Sequence, residues 1–233
     1  MELNVFRSEK KYMLPLSLAL RLQDELSRLL EPDSYSKDGY YQVRSLYFDS
    51  LNNRDFREKD GGVMYRRKIR LRVYGADAKS AKLEMKEKRG DLQHKSSLLL
   101  TRQQALAVEA GDYSVLLDIG TELALYMYSV MTLLVYRPVA LIEYDRRAFV
   151  YPEFNTRITF DTNVRSSETD MSVFEKAPAY NITLDDAVVL EVKFDGKLFG
   201  PISKVLKKYH ITCSSFSKYG TGRGMMEQYI MGI

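Results

Sequence analysis

The nine residues Arg66-Arg67-Lys68-Ile69-Arg70-Leu71-Arg72-Val73-Tyr74 leave the chain few ways to fold. At a period of two, Arg66, Lys68, Arg70, Arg72 and Tyr74 share one face, and Ile69, Leu71 and Val73 share the other. An apolar face demands a core, so the segment is a strand of a sheet and not a basic tail. Four cations along its other face repel one another unless water, salt or a bound anion lies between them. A single strand of this kind is an ordinary solvated sheet face. Its weight comes from repetition. Arg7, Glu9 and Lys11 share a face, and Lys82, Glu84, Lys86 and Lys88 alternate with Leu83 and Met85. Arg157, Thr159 and Asp161 alternate with Ile158 and Phe160, while Val189, Glu191, Lys193 and Asp195 alternate with Leu190, Val192 and Phe194.

Helical patterns separate these strands. Pro15 opens a helix carrying Leu22, Leu26, Leu29 and Leu30 at helical spacing, and Pro32 ends it. Tyr41 to Phe48 reads as a strand followed by a polar turn through Asn53, and Asp60-Gly61-Gly62 is a turn signal. Thr101 and Thr121 are placed to cap helices over 101–109 and 121–135. Val139 to Val150 is a strand carrying Tyr144, Arg146 and Arg147, and closing helices are expected over Leu198 to Tyr209 and Arg223 to Ile230. The count is about seven or eight strands with helices inserted between them, hence α+β with an antiparallel sheet. No linker or repeat divides the sequence, so residues 1–233 read as one domain. In a closed barrel the charged faces would line a lumen; in an open sheet they would meet solvent. Periodicity leaves both open.

Composition narrows the class. Apolar content of 45% and charged content of 28% are those of an ordinary globular protein. A net charge of +4 is too small for bulk nucleic-acid binding, and the basic residues are not interleaved with stacking aromatics, so no nucleic acid partner is expected. The seventeen Tyr suit sites where a ring packs and its hydroxyl reaches a polar group. The single Cys213 excludes an internal disulfide framework and fits a reducing, cytoplasmic setting. It reads as a small semi-buried residue, since His94 and His210 bear no recognisable relation to it. The start Met-Glu-Leu-Asn is unlike a signal segment, and the apolar run Leu123 to Val135 is too short for a transmembrane span, so it reads as a buried helix. There is no Walker-type loop, His-Glu-x-x-His, Cys-x-x-Cys or Gly-x-Ser-x-Gly motif. Gly220-Thr221-Gly222-Arg223-Gly224 reads as a turn before a helix, and Lys218 as a solvated lysine.

If the charged faces converge, they bring Arg7, Lys11, Arg70, Arg72, Lys86, Lys88, Arg146 and Arg157 toward Glu9, Glu84 and Glu191. Cations confined together demand an anion, and phosphate chains suit Arg forks and mobile Lys charges. Carboxylates in that company oppose phosphate unless they hold a divalent metal; Glu191 is the first candidate and Glu9 the second.

In this order, Arg7-Ser8-Glu9-Lys10-Lys11-Tyr12, Ser45-Leu46-Tyr47-Phe48-Asp49, Ile69-Arg70-Leu71-Arg72-Val73-Tyr74-Gly75 and Leu83-Glu84-Met85-Lys86-Glu87-Lys88 resemble the VTC domain. Tyr144-Asp145-Arg146, Arg157-Ile158-Thr159-Phe160-Asp161-Thr162, Leu190-Glu191-Val192-Lys193 and Phe216-Ser217-Lys218-Tyr219 continue the match almost to the end of the chain. The VTC domain is the polyphosphate polymerase branch of the triphosphate tunnel metalloenzymes, or CYTH-like superfamily. The resemblance implies a closed tunnel of eight antiparallel strands with helices outside. It also implies transfer of the γ-phosphate of ATP onto a growing polyphosphate chain, with Mn²⁺ or Mg²⁺ bound. Lys11, Arg70, Arg72, Arg157 and Lys218 then act on the transferring phosphates, Lys86, Lys95 and Ser217 bind phosphate, and Glu191 holds the metal; the charged faces read above add Lys88 and Arg146 for phosphate and Glu9 for the metal. The wider superfamily opens Glu-x-Glu-x-Lys, whereas the first position here is Arg7, and Lys88 stands where the family commonly has histidine. The family's regulatory SPX domain and membrane helices have no counterpart, so membrane association would need another protein partner. The rival readings are an inorganic or nucleoside triphosphatase on the same fold, and a polyphosphate-binding module without turnover.

Overall fold

The structure is a computed structural model describing residues 7–36, 38–90, 92–184 and 186–223, with Arg7 by its main chain only. Strand β1 (Arg7–Pro15) leads into helix α1 (Leu16–Ser27), the two-residue β2 (Glu31–Pro32) and β3 (Tyr41–Asp49). Helix α2 (Arg54–Asp60) precedes the consecutive strands β4 (Tyr65–Val73), β5 (Ser80–Arg89) and β6 (Leu92–Thr101). Helices α3 (Arg102–Glu109), α4 (Val115–Ile119) and α5 (Glu122–Leu133) follow, then the long β7 (Arg137–Tyr151). A short 3-10 turn (Glu153–Asn155), β8 (Thr156–Ser167), β9 (Asn181–Ile182), β10 (Ala187–Asp195) and α6 (Gly200–Lys208) complete the named elements. Residues 218–223 are helical as well.

The α+β class with a large antiparallel sheet is what the alternating segments predict. The hydrogen-bonded order is β1-β10-β8-β7-β3-β4-β5-β6, with β2 added on β7 and β9 on β8. The described sheet therefore has ten strands on an open path, where eight in closed pairing were expected. Two of the ten are two residues long, too short to show any periodicity.

The chain forms two compact units. The first comprises Met1–Gln42, Tyr144–Arg165 and Ile182–Ser217; the second comprises Val43–Glu143, Ser166–Asn181 and Lys218–Ile233. In the first unit, Tyr12, Leu14, Ile158, Phe160, Val188, Leu190 and Val192 pack against Leu22 and Leu26 of α1 and Ile202 and Val205 of α6. Helix α1 stops at Ser27, so Leu29 lies beyond it and is 39% exposed, while Pro32 belongs to β2.

In the second unit, Leu46, Phe48, Ile69, Leu71, Leu83 and Met85 form the apolar side of the sheet, covered by Ala105, Leu116, Ala124, Met127 and Met131 of α3, α4 and α5. Thr101 caps α3 as expected: its hydroxyl accepts the Gln104 N–H, and the Gln104 side chain accepts the Thr101 N–H at 2.9 Å. Helix α5 is buried on one side only, with Leu133 79% exposed. Among the described residues no helix is long and apolar enough to cross a membrane.

Two further expectations change, and a third falls outside the described residues. Cys213 is exposed and bridges to Tyr12, because it lies on a short extension along β1 and not in a core. Gly220, Thr221 and Gly222 lie inside the last described helix and not in a turn before one. A Cβ on Gly222 would stand 3.3 Å from the Ser166 Cβ, so close packing accounts for that glycine. Of the closing helix expected over Arg223 to Ile230, all but Arg223 lies outside the described residues.

Candidate functional site

The second unit carries the basic strand. Register places Tyr47, Arg70 and Glu84 in one row across β3, β4 and β5, and Ser45, Arg72 and Lys82 in the next. On the other side of the Arg70 row, Lys68, Lys86 and Lys95 stand directly opposite one another on β4, β5 and β6. Like charges in that position repel one another, and Glu84 offsets part of the row through Lys95. Lys88 continues the face opposite Arg66 and Gln93.

Glu84 organises these cations. Its side chain is 4% exposed and lies 2.7 Å from Arg70 Nη2, 3.8 Å from Arg72 Nη1 and 2.5 Å from Lys95 Nζ. Burial alone would raise its carboxyl; Arg70, Arg72 and Lys95 outweigh that and hold it far below the usual carboxylate range. Glu84 is therefore a fixed anion that spaces three cations. Arg70 is pinned twice, because its Nη1 also donates to the Tyr47 hydroxyl at 3.0 Å, and Arg72 Nε donates to Ser45 Oγ at 3.1 Å.

Tyr47 was not foreseen as a site residue. Burial would raise its phenol, but Arg70, Arg72 and Lys218 together bring it below its ordinary value. Lys218, half-buried in the last described helix, thus projects its charge onto the Arg70 cluster and is not a purely solvated lysine. The next residue, Tyr219, stacks on Tyr47 with centroids 4.8 Å apart and donates to Asp49 Oδ2 at 2.7 Å. Asp49 also accepts the N–H groups of Asp55 and Phe56, taking the place of a side-chain cap at Asn53.

Asp55 beneath this cluster is 2% exposed, and burial followed by the charge of Asp49 pushes its carboxyl up to about 7. Its folded-state value lies above the unfolded one, so its stabilising contribution is full below about 4, declines as pH rises, and is gone above about 7. The melting temperature of wild type relative to Asp55→Asn is therefore expected to fall between about pH 4 and 7 and to level off above, read by thermal unfolding at each pH. A difference that stays constant over that range would contradict the assignment.

The first unit carries a second charged face. Glu9, Lys193 and Arg157 align across β1, β10 and β8, as do Lys11, Glu191 and Thr159. Lys11 Nζ lies 3.2 Å from Glu9 and 3.8 Å from Glu191, and Lys193 Nζ is 3.4 Å from Glu191. Arg146 gives both arms of its fork to the fully buried Asp161, at 2.6 and 2.7 Å, with Glu191 3.9 Å away. Arg157 Nη2 donates to Asp33 at 2.6 Å and to the Tyr41 hydroxyl at 3.1 Å. Ser214 N donates to Lys11 O at 2.8 Å, which ties the segment leading to Ser217 alongside β1.

The structure thus gathers Lys11, Glu9, Glu191, Arg146 and Arg157 in one unit, and Arg70, Arg72, Lys86, Lys88, Lys95 and Lys218 in the other. Of Arg7, the register opposite Asp195 is all that is described. Pattern reading missed the polar partners Tyr47, Ser45, Asp33 and Tyr41. Tyr47 and Ser45 carried a signal, since they alternate with Leu46 and Phe48 on one strand. No group of three or more acidic, His or Cys side chains suited to a metal occurs among the described residues. The donor chemistry still fits a hard divalent cation of the Mg²⁺ type, which takes one or two carboxylates and fills its remaining positions with water and phosphate oxygens. Glu191 and Glu9 share one ammonium between them, and beside Glu191 the buried Thr159 hydroxyl has no hydrogen-bond partner among the described residues.

Both faces set Arg and Lys side chains against buried carboxylates on an antiparallel sheet. The VTC domain model matches residues 6–227, and the chain belongs to that family. No curated protein matches it. A protein described as a candidate adenylate cyclase from Bacillus halodurans shares the fold at 14% identity and TM-score 0.52, over 90% of this chain and 92% of that one. The PH1819 protein from Pyrococcus horikoshii OT3 aligns at 12% identity and TM-score 0.47, over 92% and 96%. Family membership supports a polyphosphate-related, triphosphate-binding function, and an enzyme of a class that generally uses divalent metals.

Proposed function

We propose that this chain is a polyphosphate polymerase, transferring the γ-phosphate of ATP onto a growing polyphosphate chain, with all 233 residues serving one catalytic domain. The observation that carries the reading is the Lys68–Lys86–Lys95 row beside the Arg70–Arg72 pair, cations aligned at strand spacing on one face. A chain of phosphates offers charges at a regular repeat that such a row can follow. The closed eight-stranded tunnel expected from the family resemblance is part of the same proposal.

Phosphoryl transfer asks a protein for alignment and for neutralisation of charge on equatorial and bridging oxygens. Arg70 and Arg72 supply planar forks held in place by Glu84, Tyr47 and Ser45, so little reorganisation is needed when substrate arrives. Lys11, Arg157 and Lys218 act on the transferring phosphates, and Lys86, Lys88, Lys95, Arg146 and Ser217 hold the remainder of the chain. Glu191 and Glu9 would hold the divalent cation. When bound, Mn²⁺ or Mg²⁺ supplies charge neutralisation between phosphates. The nucleophile is a terminal phosphate already ionised at neutral pH, so no side-chain base is required. The reading includes a cytoplasmic setting and an unidentified protein partner.

Incubation of pure protein with Mn²⁺ and ATP is expected to give long polyphosphate chains on a gel. Free orthophosphate alone would replace the polymerase reading with that of a triphosphatase. Tight polyphosphate binding that survives Glu191→Ala, with no metal-dependent product, would replace it with a binding module.

A further inference from the structure

Thr159 lies on β8 directly opposite Glu191 on β10, which in turn faces Lys11 on β1. Directly opposed residues bring their Cβ atoms to about 5 Å, within reach of a shared small ligand. Thr159 is 2% exposed, and its Oγ1 has no hydrogen-bond partner among the described residues. A buried threonine hydroxyl ordinarily donates to a nearby carbonyl; one left unpartnered carries a desolvation penalty that valine, of the same shape, would avoid. The group that removes the penalty must reach the row formed by Lys11, Glu191 and Thr159. A phosphate oxygen there would meet the Glu191 and Glu9 carboxylates, whose charge Lys11, Lys193 and Arg146 offset at 3.2–3.9 Å. A hard cation draws hydroxyl and carboxylate oxygens to itself together.

We propose that Thr159 supplies a further oxygen ligand, beside Glu191 and Glu9, to a divalent cation. The inference rests on the reading of Glu191 as a metal-holding carboxylate and adds a residue to it. Lys11 Nζ, 3.2 Å from Glu9 and 3.8 Å from Glu191, holds the two carboxylates together in the metal-free protein. A bound cation would take the place of this ammonium at Glu9 and at Glu191 Oε1, while Lys193 and Arg146 stay at Glu191 Oε2.

The test uses the full chain, stripped of metal and titrated with Mn²⁺ alone, free Mn²⁺ being read by electron paramagnetic resonance. Glu191→Ala is expected to abolish the site. Thr159→Val is expected to weaken binding by about tenfold, and Thr159→Ser to restore it to within about twofold of wild type. Without metal, Thr159→Val is expected to melt no lower than wild type, because it removes an unpartnered hydroxyl. Unchanged Mn²⁺ binding by Thr159→Val overturns the proposal, including the case where only triphosphate binding weakens and the hydroxyl serves phosphate. A lower melting temperature of metal-free Thr159→Val also overturns it, by showing that the hydroxyl is already satisfied. If wild type shows no Glu191-dependent site, this inference and the metal assignment fall together. The ATP assay then decides the polymerase reading separately.

Discussion

Arg70→Ala is expected to lower polyphosphate formation by about a hundredfold or more at saturating ATP and Mn²⁺, the scale of losing one preorganised charge donor. The reason lies in how the guanidinium is held. Two of its nitrogens approach Glu84 Oε2 at 2.7 Å and the third donates to Tyr47, so its orientation is set before substrate binds. Arg70→Lys should recover little of the loss, because an ammonium cannot reproduce a fork bonded on two sides. Glu84 keeps Lys95 and Arg72 as partners in either variant, so the fold should survive, which a thermal melt would confirm. Initial rates of chain formation decide the matter: a variant retaining a third of wild-type rate would remove Arg70 from the site.

Arg44→Ala is expected to cost roughly 3–5 kcal/mol of stability, measured by urea unfolding of the free protein. Arg44 and Glu143 have side chains only 2% and 1% exposed, and Arg44 Nε donates to Glu143 at 2.5 Å. Arg44 Nη1 also donates to the carbonyls of Val173 and Glu175, and the Tyr180 hydroxyl donates to Glu143. Alanine would leave a buried carboxylate without its cation and two carbonyls without a donor. Replacing both charged residues by apolar ones of similar size should cost much less, because no charge is then stranded. A loss under about 1 kcal/mol for Arg44→Ala would refute the argument.

The contrast between Arg44 and Arg70 shows what was legible in the sequence. Both lie on strands next to apolar neighbours, and nothing local distinguishes a structural arginine from one facing a ligand. The alternation at Arg66 to Tyr74 gave the strand, its two faces and the α+β class, because period two is a short-range property. The partner of each charge was hidden, since Arg44 and Glu143 are 99 positions apart and Arg157 and Asp33 are 124 apart. Strand β6 escaped notice because its Leu98-Leu99-Leu100 run breaks the alternation that marks β4 and β5. Helix α2 escaped because its start is stabilised by Asp49, earlier in the chain, and not by a local cap. The family motifs did point at Lys218. Its environment followed only from Tyr219, whose stacking on Tyr47 and bond to Asp49 fix the lysine beside the Arg70 cluster.

Gly222 bears on that lysine from four residues away. Its bare Cα lets the helix settle against Ser166 and Ile142, where a Cβ would stand 3.3 Å from the Ser166 Cβ and crowd it. Lys218 and Gly222 share that helix, so the main-chain seating at the glycine bears on where the lysine's backbone sits. A missing methyl group at Gly222 is thus part of what seats the rod that carries Lys218.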